Sequence, residues 1–331
     1  MKQTILLVLT FSLLLSASDL TPQEKLALQL ERQTQAEQLE KEGNYAKAAK
    51  IYKKLAFNED DYQQTAKWKL RQGECLLLAG KVQKSLDVYQ DLLESNQLVI
   101  PYSLILEKLR QIADCFEQGE GTFLGLKDRS AAIKVYRLAI RETPSVHVTL
   151  QDRLKLAELL LADGEPEDAA NTYLQAIKQA PANPDLRLKL ARLLLKLSQD
   201  RNGDSDGSRL RGAAREAKAF LRLAPPEDTA GRQEAADILA AVQNGEAERL
   251  LMQAKFYLRP RSFRPEAAKR YLNQIFTEHP NSPAAEEARR LQRDVLPGDK
   301  ASEQRPPSLN APRKTAPELE KSLTPIGEKD V

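Results

Sequence analysis

The stretch Gly164–Pro184, GEPEDAANTYLQAIKQAPANP, decides how this chain folds. Prolines bracket it. Ala169 stands four residues before Tyr173, and Ala176 three after, so the three share one face of a helix. A single amphipathic helix needs no fixed offset between small and aromatic residues. A helix stacked within a set does, because the small residues leave the space that the aromatic fills. The flanking sequence therefore has to contain copies.

Copies are present. Leu150–Asn183 reads as two helices, the first carrying Leu156, Ala157 and Leu160, the second carrying Ala169, Tyr173, Ala176 and then Pro181. This resembles the tetratricopeptide repeat, a unit of about 34 residues in which a large–Leu–small–large set precedes Ala, an aromatic and a closing Pro. Arg153 stands where that pattern opens on Trp. Ala48 and Tyr52 repeat the offset, as do Ser85 and Tyr89 after Gly73 and Leu76. Ala132, Tyr136, Ala139 and Pro144 follow Ile112, Ala113 and Phe116. A fifth copy, from Pro184 through Leu190, Ala191 and Leu194 to Ala213 and Pro225, has Ala217 in place of the aromatic. A last copy holds Ala254, Tyr257, Ala267, Tyr271 and Pro280, and residues 227–245 fall between copies. The resemblance implies an all-α protein, an α-solenoid of stacked helix pairs whose first helices line a groove.

The last copy, Glu246 to Val295, is in addition similar to units of the outer-membrane assembly lipoproteins (BamD-like) and of Tol-associated periplasmic repeat proteins. The likeness lies in Ala254 with Phe256-Tyr257, Ala267-Ala268, and His279-Pro280-Asn281-Ser282-Pro283 before Ala284-Ala285-Glu286-Glu287-Ala288. It implies the periplasmic compartment and a partner-binding role.

Composition agrees with helices. Of 331 residues, 41% are hydrophobic and 29% charged, and strong helix formers dominate. Thr21-Pro22-Gln23-Glu24 reads as a capping box with Pro in the first turn, and no segment alternates with period two, so no sheet is expected. The net charge of +3 creates no global field calling for nucleic acid or anionic lipid.

The organisation reads as four parts. Residues 1–18 form a signal peptide, with Lys2, an apolar run from Ile5 to Leu15, and small residues up to Ser18. That run is shorter than the about 20 residues a membrane span needs. Ser18 occupies the place of a lipid-bearing Cys, and a hydroxyl cannot replace that thiolate, so a soluble protein in the periplasm of a Gram-negative-type envelope is expected. The repeat array covers 19–226 and the C-terminal helices 227–296. Residues 297–331 are Pro-rich and lack aromatics, the composition of a disordered tail.

Residues able to carry chemistry are few. Cys75 and Cys115 fall at matching places in neighbouring first helices, where a small apolar side chain belongs. An exported location permits a disulfide between them, but helices about 8–10 Å apart exceed the roughly 7 Å reach of the bridge. Asp200–Ser208, DRNGDSDGS, offers alternating oxygens but lacks the Glu that closes a calcium loop, and reads as a solvated loop. Gly119–Asp128, GEGTFLGLKD, has no phosphate-loop lysine and reads as an enlarged turn whose Phe123 and Leu124 tuck onto the helices. His147 and His279 belong to no catalytic constellation. No cofactor, metal site or enzymatic activity is expected.

The phase of the buried residues places a set of side chains on the groove face. They are Arg71, Glu74 and Leu77; Arg110, Asp114 and Glu117; Lys155, Glu158 and Leu161; and Lys189, Arg192 and Leu195. Cations with leucine anchors suit a protein or peptide partner bearing acidic groups. The expected function is a scaffold in cell-envelope or outer-membrane assembly. The alternative is a regulatory or cell-wall-associated factor acting through the tail.

Overall fold

The computed structural model describes residues 21–95, 99–199 and 207–295. Residues 1–20, 96–98, 200–206 of the acidic loop and 296–331 lie outside them, and with them the signal peptide and the disordered tail expected from the sequence. Every regular element among the described residues is helical. In chain order these are α1 (Pro22–Lys41), α2 (Tyr45–Phe57), α3 (Tyr62–Leu78), α4 (Val82–Glu94), α5 (Tyr102–Gln118), α6 (Arg129–Glu142) and α7 (Leu150–Asp163). Then follow α8 (Pro166–Gln179), α9 (Pro184–Ser198), α10 (Ser208–Leu223), α11 (Thr229–Tyr257), α12 (Pro265–Glu278) and α13 (Pro283–Val295). Short 3₁₀ turns occur at Phe123–Gly125 and Pro260–Ser262.

The helix ends follow local chemistry. Thr21 accepts from the Glu24 amide while Glu24 reaches back to the Thr21 amide, and Thr149 with Asp152 repeats this box at α7. Pro occupies the first turn of α8 and α9. Gly164, with φ 82°, ends α7 in the left-handed conformation that glycine takes without a Cβ penalty.

Two compact units divide between Glu246 and Ala247, within the range of α11. The sequence reading places the change at 226/227. The division falls later because Ala235, Ile238 and Val242 of α11 complete the same core as Leu210, Ala213 and Phe220 of α10.

In the first unit, each helix from α1 to α9 packs on the next, giving five successive pairs, and the second helices α4 and α6 also touch. The cores of these pairs rest on the offset that opened the sequence reading. Tyr52, Tyr89, Tyr136 and Tyr173 are all buried, none more than 6% exposed. Ala48, Ser85, Ala132 and Ala169, four residues before each, are fully buried. The second pair shows the mechanism. A Cβ added at Gly73 of α3 would lie 2.8 Å from the Tyr89 ring of α4, too close for real atoms. Gly73 therefore supplies the hollow for the aromatic, and the Ser85 hydroxyl donates to the Gly73 carbonyl at 2.8 Å. In the fifth pair Ala217 gives no aromatic, but Phe220 is fully buried three residues on. A Cβ at Gly231 would meet the Phe220 ring at 2.6 Å, so a glycine again faces an aromatic.

Ala169 is fully buried and Ala162 exposed. Ala169→Leu is expected to overpack the α7–α8 contact and cost about 1–3 kcal/mol, whereas Ala162→Leu leaves the urea midpoint unchanged. Equal midpoints for the two variants would contradict this register.

The enlarged turn between α5 and α6 closes on itself. The Thr122 hydroxyl, with one hydrogen to donate, lies between the carbonyl oxygens of Gly119 and Leu126, at 2.7 and 2.6 Å. Gly119 has φ 88°, and its missing Cβ would lie 2.1 Å from the Gly125 oxygen, so only glycine fits. The expectation that Leu124 tucks onto the helices is corrected. Leu124 is 78% exposed with φ 58°, in a turn held by backbone acceptors, and the Phe123 side chain lies outside the described residues.

The second unit comprises the end of α11 with α12 and α13. Ala254, Ala285 and Ala288 are buried against Leu272 and Ile275. Tyr257 and Tyr271 stack with centroids 5.8 Å apart and planes 8° from parallel. Here the two rings pack on each other and stay half-buried, whereas the repeat tyrosines of the first unit are enclosed.

Candidate functional site

Helices α1, α3, α5, α7 and α9 are the first members of the pairs, and α3, α5, α7 and α9 carry the residues expected to line a groove. The structure ties most of their charges to the neighbouring odd-numbered helix. Arg71 of α3 pairs with Glu40 of α1, and with Glu74 at 2.9 Å. Glu74 also meets Lys108 of α5 at 3.4 Å. Arg110 of α5 grips Asp152 of α7 through Nε and Nη2, at 2.7 and 2.9 Å. Glu117 of α5 meets Lys155 of α7 at 3.0 Å. Arg192 of α9 binds both oxygens of Glu234 of α11, at 2.6 and 2.8 Å.

These pairs brace successive first helices. The Asp152 side chain is only 5% exposed. Burial opposes its ionisation, but the Arg110 guanidinium and the Thr149 hydroxyl and amide overcome that cost and hold the carboxyl below the usual aspartate range. One carboxylate both caps α7 and ties it to α5.

Other expected residues are not tied. Asp114 is exposed as a residue, but neighbouring side chains partly shield its carboxyl from water, and this, then the charge of Glu117, raises it, with Lys155 acting against them. Glu158 and Lys189 have no ion-pair partner among the described residues, and Leu161 is 40% exposed. Leu77 and Leu195 are half-buried and pack on the cores beneath. The bracing pairs join α1 to α3, α3 to α5, α5 to α7, and α9 to α11. Among the described residues no such pair joins α7 to α9. The unpaired Glu158 and Leu161 of α7 and Lys189 of α9 belong to this interval.

The acids that complete the braces, Glu40, Asp152 and Glu234, were not among the groove candidates. They lie 31 to 42 residues from their partners. Only a charge of opposite sign recurring near the repeat period would have signalled them.

Both cysteines are free thiols. Burial, then the charge of Glu40, pushes Cys75 up to about 12, and burial, then Glu120, pushes Cys115 up to about 11. Neither is a thiolate near neutral pH, so neither is an activated nucleophile. Among the described residues no cluster of three or more His, Cys, Asp or Glu is placed to hold a metal ion. None of the described helices is long and apolar enough to cross a membrane.

Residues 34–97 and 150–193 each match a tetratricopeptide repeat family. No curated protein matches the chain. Among solved structures, a thermophilic TPR protein of Thermus thermophilus is 19% identical, over 64% of this chain and 99% of its own, with a TM-score of 0.27. A tetratricopeptide repeat protein from Parabacteroides merdae is 13% identical, over 80% and 99%, with a TM-score of 0.32. The chain carries tetratricopeptide repeats in the two matched segments, and repeats of this kind bind protein or peptide partners.

Proposed function

We propose that this chain is an exported, non-enzymatic scaffold that binds a protein or peptide partner on the face of its first helices, with a place in cell-envelope or outer-membrane assembly. The observation that carries the binding reading is the interruption of the ion-pair braces between α7 and α9. There a cation (Lys189), an anion (Glu158) and an exposed leucine (Leu161) stand without internal partners among the described residues. Unpaired charge beside an apolar anchor can be given to a ligand without first breaking a bond within the protein. Asp114 adds an acid on the neighbouring α5. The compartment rests on the leader-like residues 1–18, and the assembly role on the likeness of the last copy to envelope proteins.

Co-purification from envelope fractions tests the binding face. Lys189→Glu combined with Leu161→Asp is expected to lose the captured partner while the melting temperature stays at the parental value. An unchanged partner set would remove this face from the account. Fractionation tests the compartment. The mature chain is expected in the periplasmic fraction with its N-terminus near Asp19, and full-length protein confined to the cytosol would overturn export.

A further inference from the structure

A groove that the first-helix reading does not use lies between the second helices α2 and α4 and against α3. Helix α2 carries four lysines and no acidic residue. Two of them, Lys50 and Lys53, face Lys81 and Lys84 across a cleft of 320 Å³ floored by Ala49 and Leu76. None of these four ammonium groups has an ion-pair partner among the described residues. The cleft contains one acid, Asp87, whose carboxylate already accepts from the Gln83 amide at 2.9 Å. A second cleft, of 460 Å³, shares Lys53, Gln72, Asp87 and Val88 with the first, so the two form one continuous groove. At its far end Phe57 stands 88% exposed beside Ala56. There the cation Lys69 is spent on Asp91, at 2.6 Å.

The groove therefore has a cationic end and an apolar end. On the first-helix face Arg71, Arg110, Lys155 and Arg192 are each matched by an acid on a neighbouring odd-numbered helix; here four cations are left facing a shared concavity. A concave site lined by like charge is unfavourable when empty and gains from an anionic occupant. The length of the joined clefts and the apolar floor suit a chain with side chains, not a lone ion.

We propose that this groove between α2, α3 and α4 is a second docking surface, for an acidic peptide segment of a partner. Its carboxylates sit among Lys50, Lys53, Lys81 and Lys84, and an apolar side chain lies against Val88 and Phe57. The proposal stands independently of the first-helix face, so one can fail without the other.

Fluorescence anisotropy with a labelled, capped peptide of four Glu-Glu-Leu units and the full chain tests it. Lys50→Glu with Lys84→Glu is expected to weaken binding about tenfold or more. Lys178→Glu with Lys218→Glu, an equal charge change at exposed sites on α8 and α10, leaves it near the parental value. Replacing leucine by serine in the peptide, or Phe57 by Ser in the protein, weakens binding at physiological salt. The Lys189→Glu, Leu161→Asp variant still binds the peptide. Equal losses in the two lysine pairs would reduce the effect to net charge and overturn the proposal. So would phosphatidylglycerol vesicles binding through these lysines while the peptide does not.

Discussion

Arg110→Ala is expected to lower the stability of the first unit by about 3–5 kcal/mol, although Arg110 lies on the face read as a ligand groove. The loss comes from what remains behind. Asp152 is 5% exposed and keeps only its capping bonds to Thr149 once the guanidinium is gone. A buried carboxylate without its cation is the costly half of a broken pair. The pH dependence follows from the depressed Asp152 carboxyl. A group whose folded pKa lies below its unfolded value contributes stability above the unfolded pKa, and that contribution fades as pH falls through the folded one. The gap in urea midpoint between parent and Arg110→Ala is therefore widest near neutral pH and narrows below about pH 4. A gap independent of pH would mean that Arg110 acts by packing alone. The same reasoning separates bracing from binding. Charge changes at Arg110, Lys155 or Arg192 disturb ties between helices, whereas changes at Lys189 or Leu161 are expected to act on the proposed binding face.

Tyr89→Ala is the second large effect, expected to cost about 3–5 kcal/mol by emptying a fully enclosed site. The ring is fully buried, between the backbone of α3 at Gly73 and the apolar residues of the second and third pairs. Its hydroxyl finds no hydrogen-bond partner among the described residues. Tyr89→Phe is accordingly expected to be neutral or slightly stabilising, since it removes a buried polar atom without breaking a bond. A large loss in the Phe variant would show that the hydroxyl, not the ring, matters.

The tyrosine positions could be read from sequence because the offset from a small residue is local, four residues within one helix. Gly73 is readable for a different reason: it occupies the small position of a first helix in the repeat pattern, ahead of Ser85 and Tyr89 in the second helix. The capping box at Thr21 and Glu24 is equally local. Phe220 was not found, because the aromatic moved one turn from its repeat position and its partner Gly231 lies in the next helix. The groove was only half legible. Helical phase placed Arg71, Arg110 and Arg192 on one face, but phase says nothing about which side chains cross to the adjacent pair. Leu124 misled because hydrophobicity outweighed the geometry of a glycine-rich turn, which turned that side chain outward.

The packing of the pairs depends most on small residues in one helix making room for aromatics in its partner. A double-mutant cycle between Gly73 and Tyr89 tests it directly. Alone, Gly73→Ala drives a Cβ into the Tyr89 ring and is expected to cost about 1–3 kcal/mol. In the Tyr89→Ala background the same change meets an empty space and is expected to be neutral, or to stabilise by up to about 1 kcal/mol through helix propensity. A coupling of more than about 1 kcal/mol in urea unfolding is the predicted result. Strict additivity of the two substitutions would contradict it.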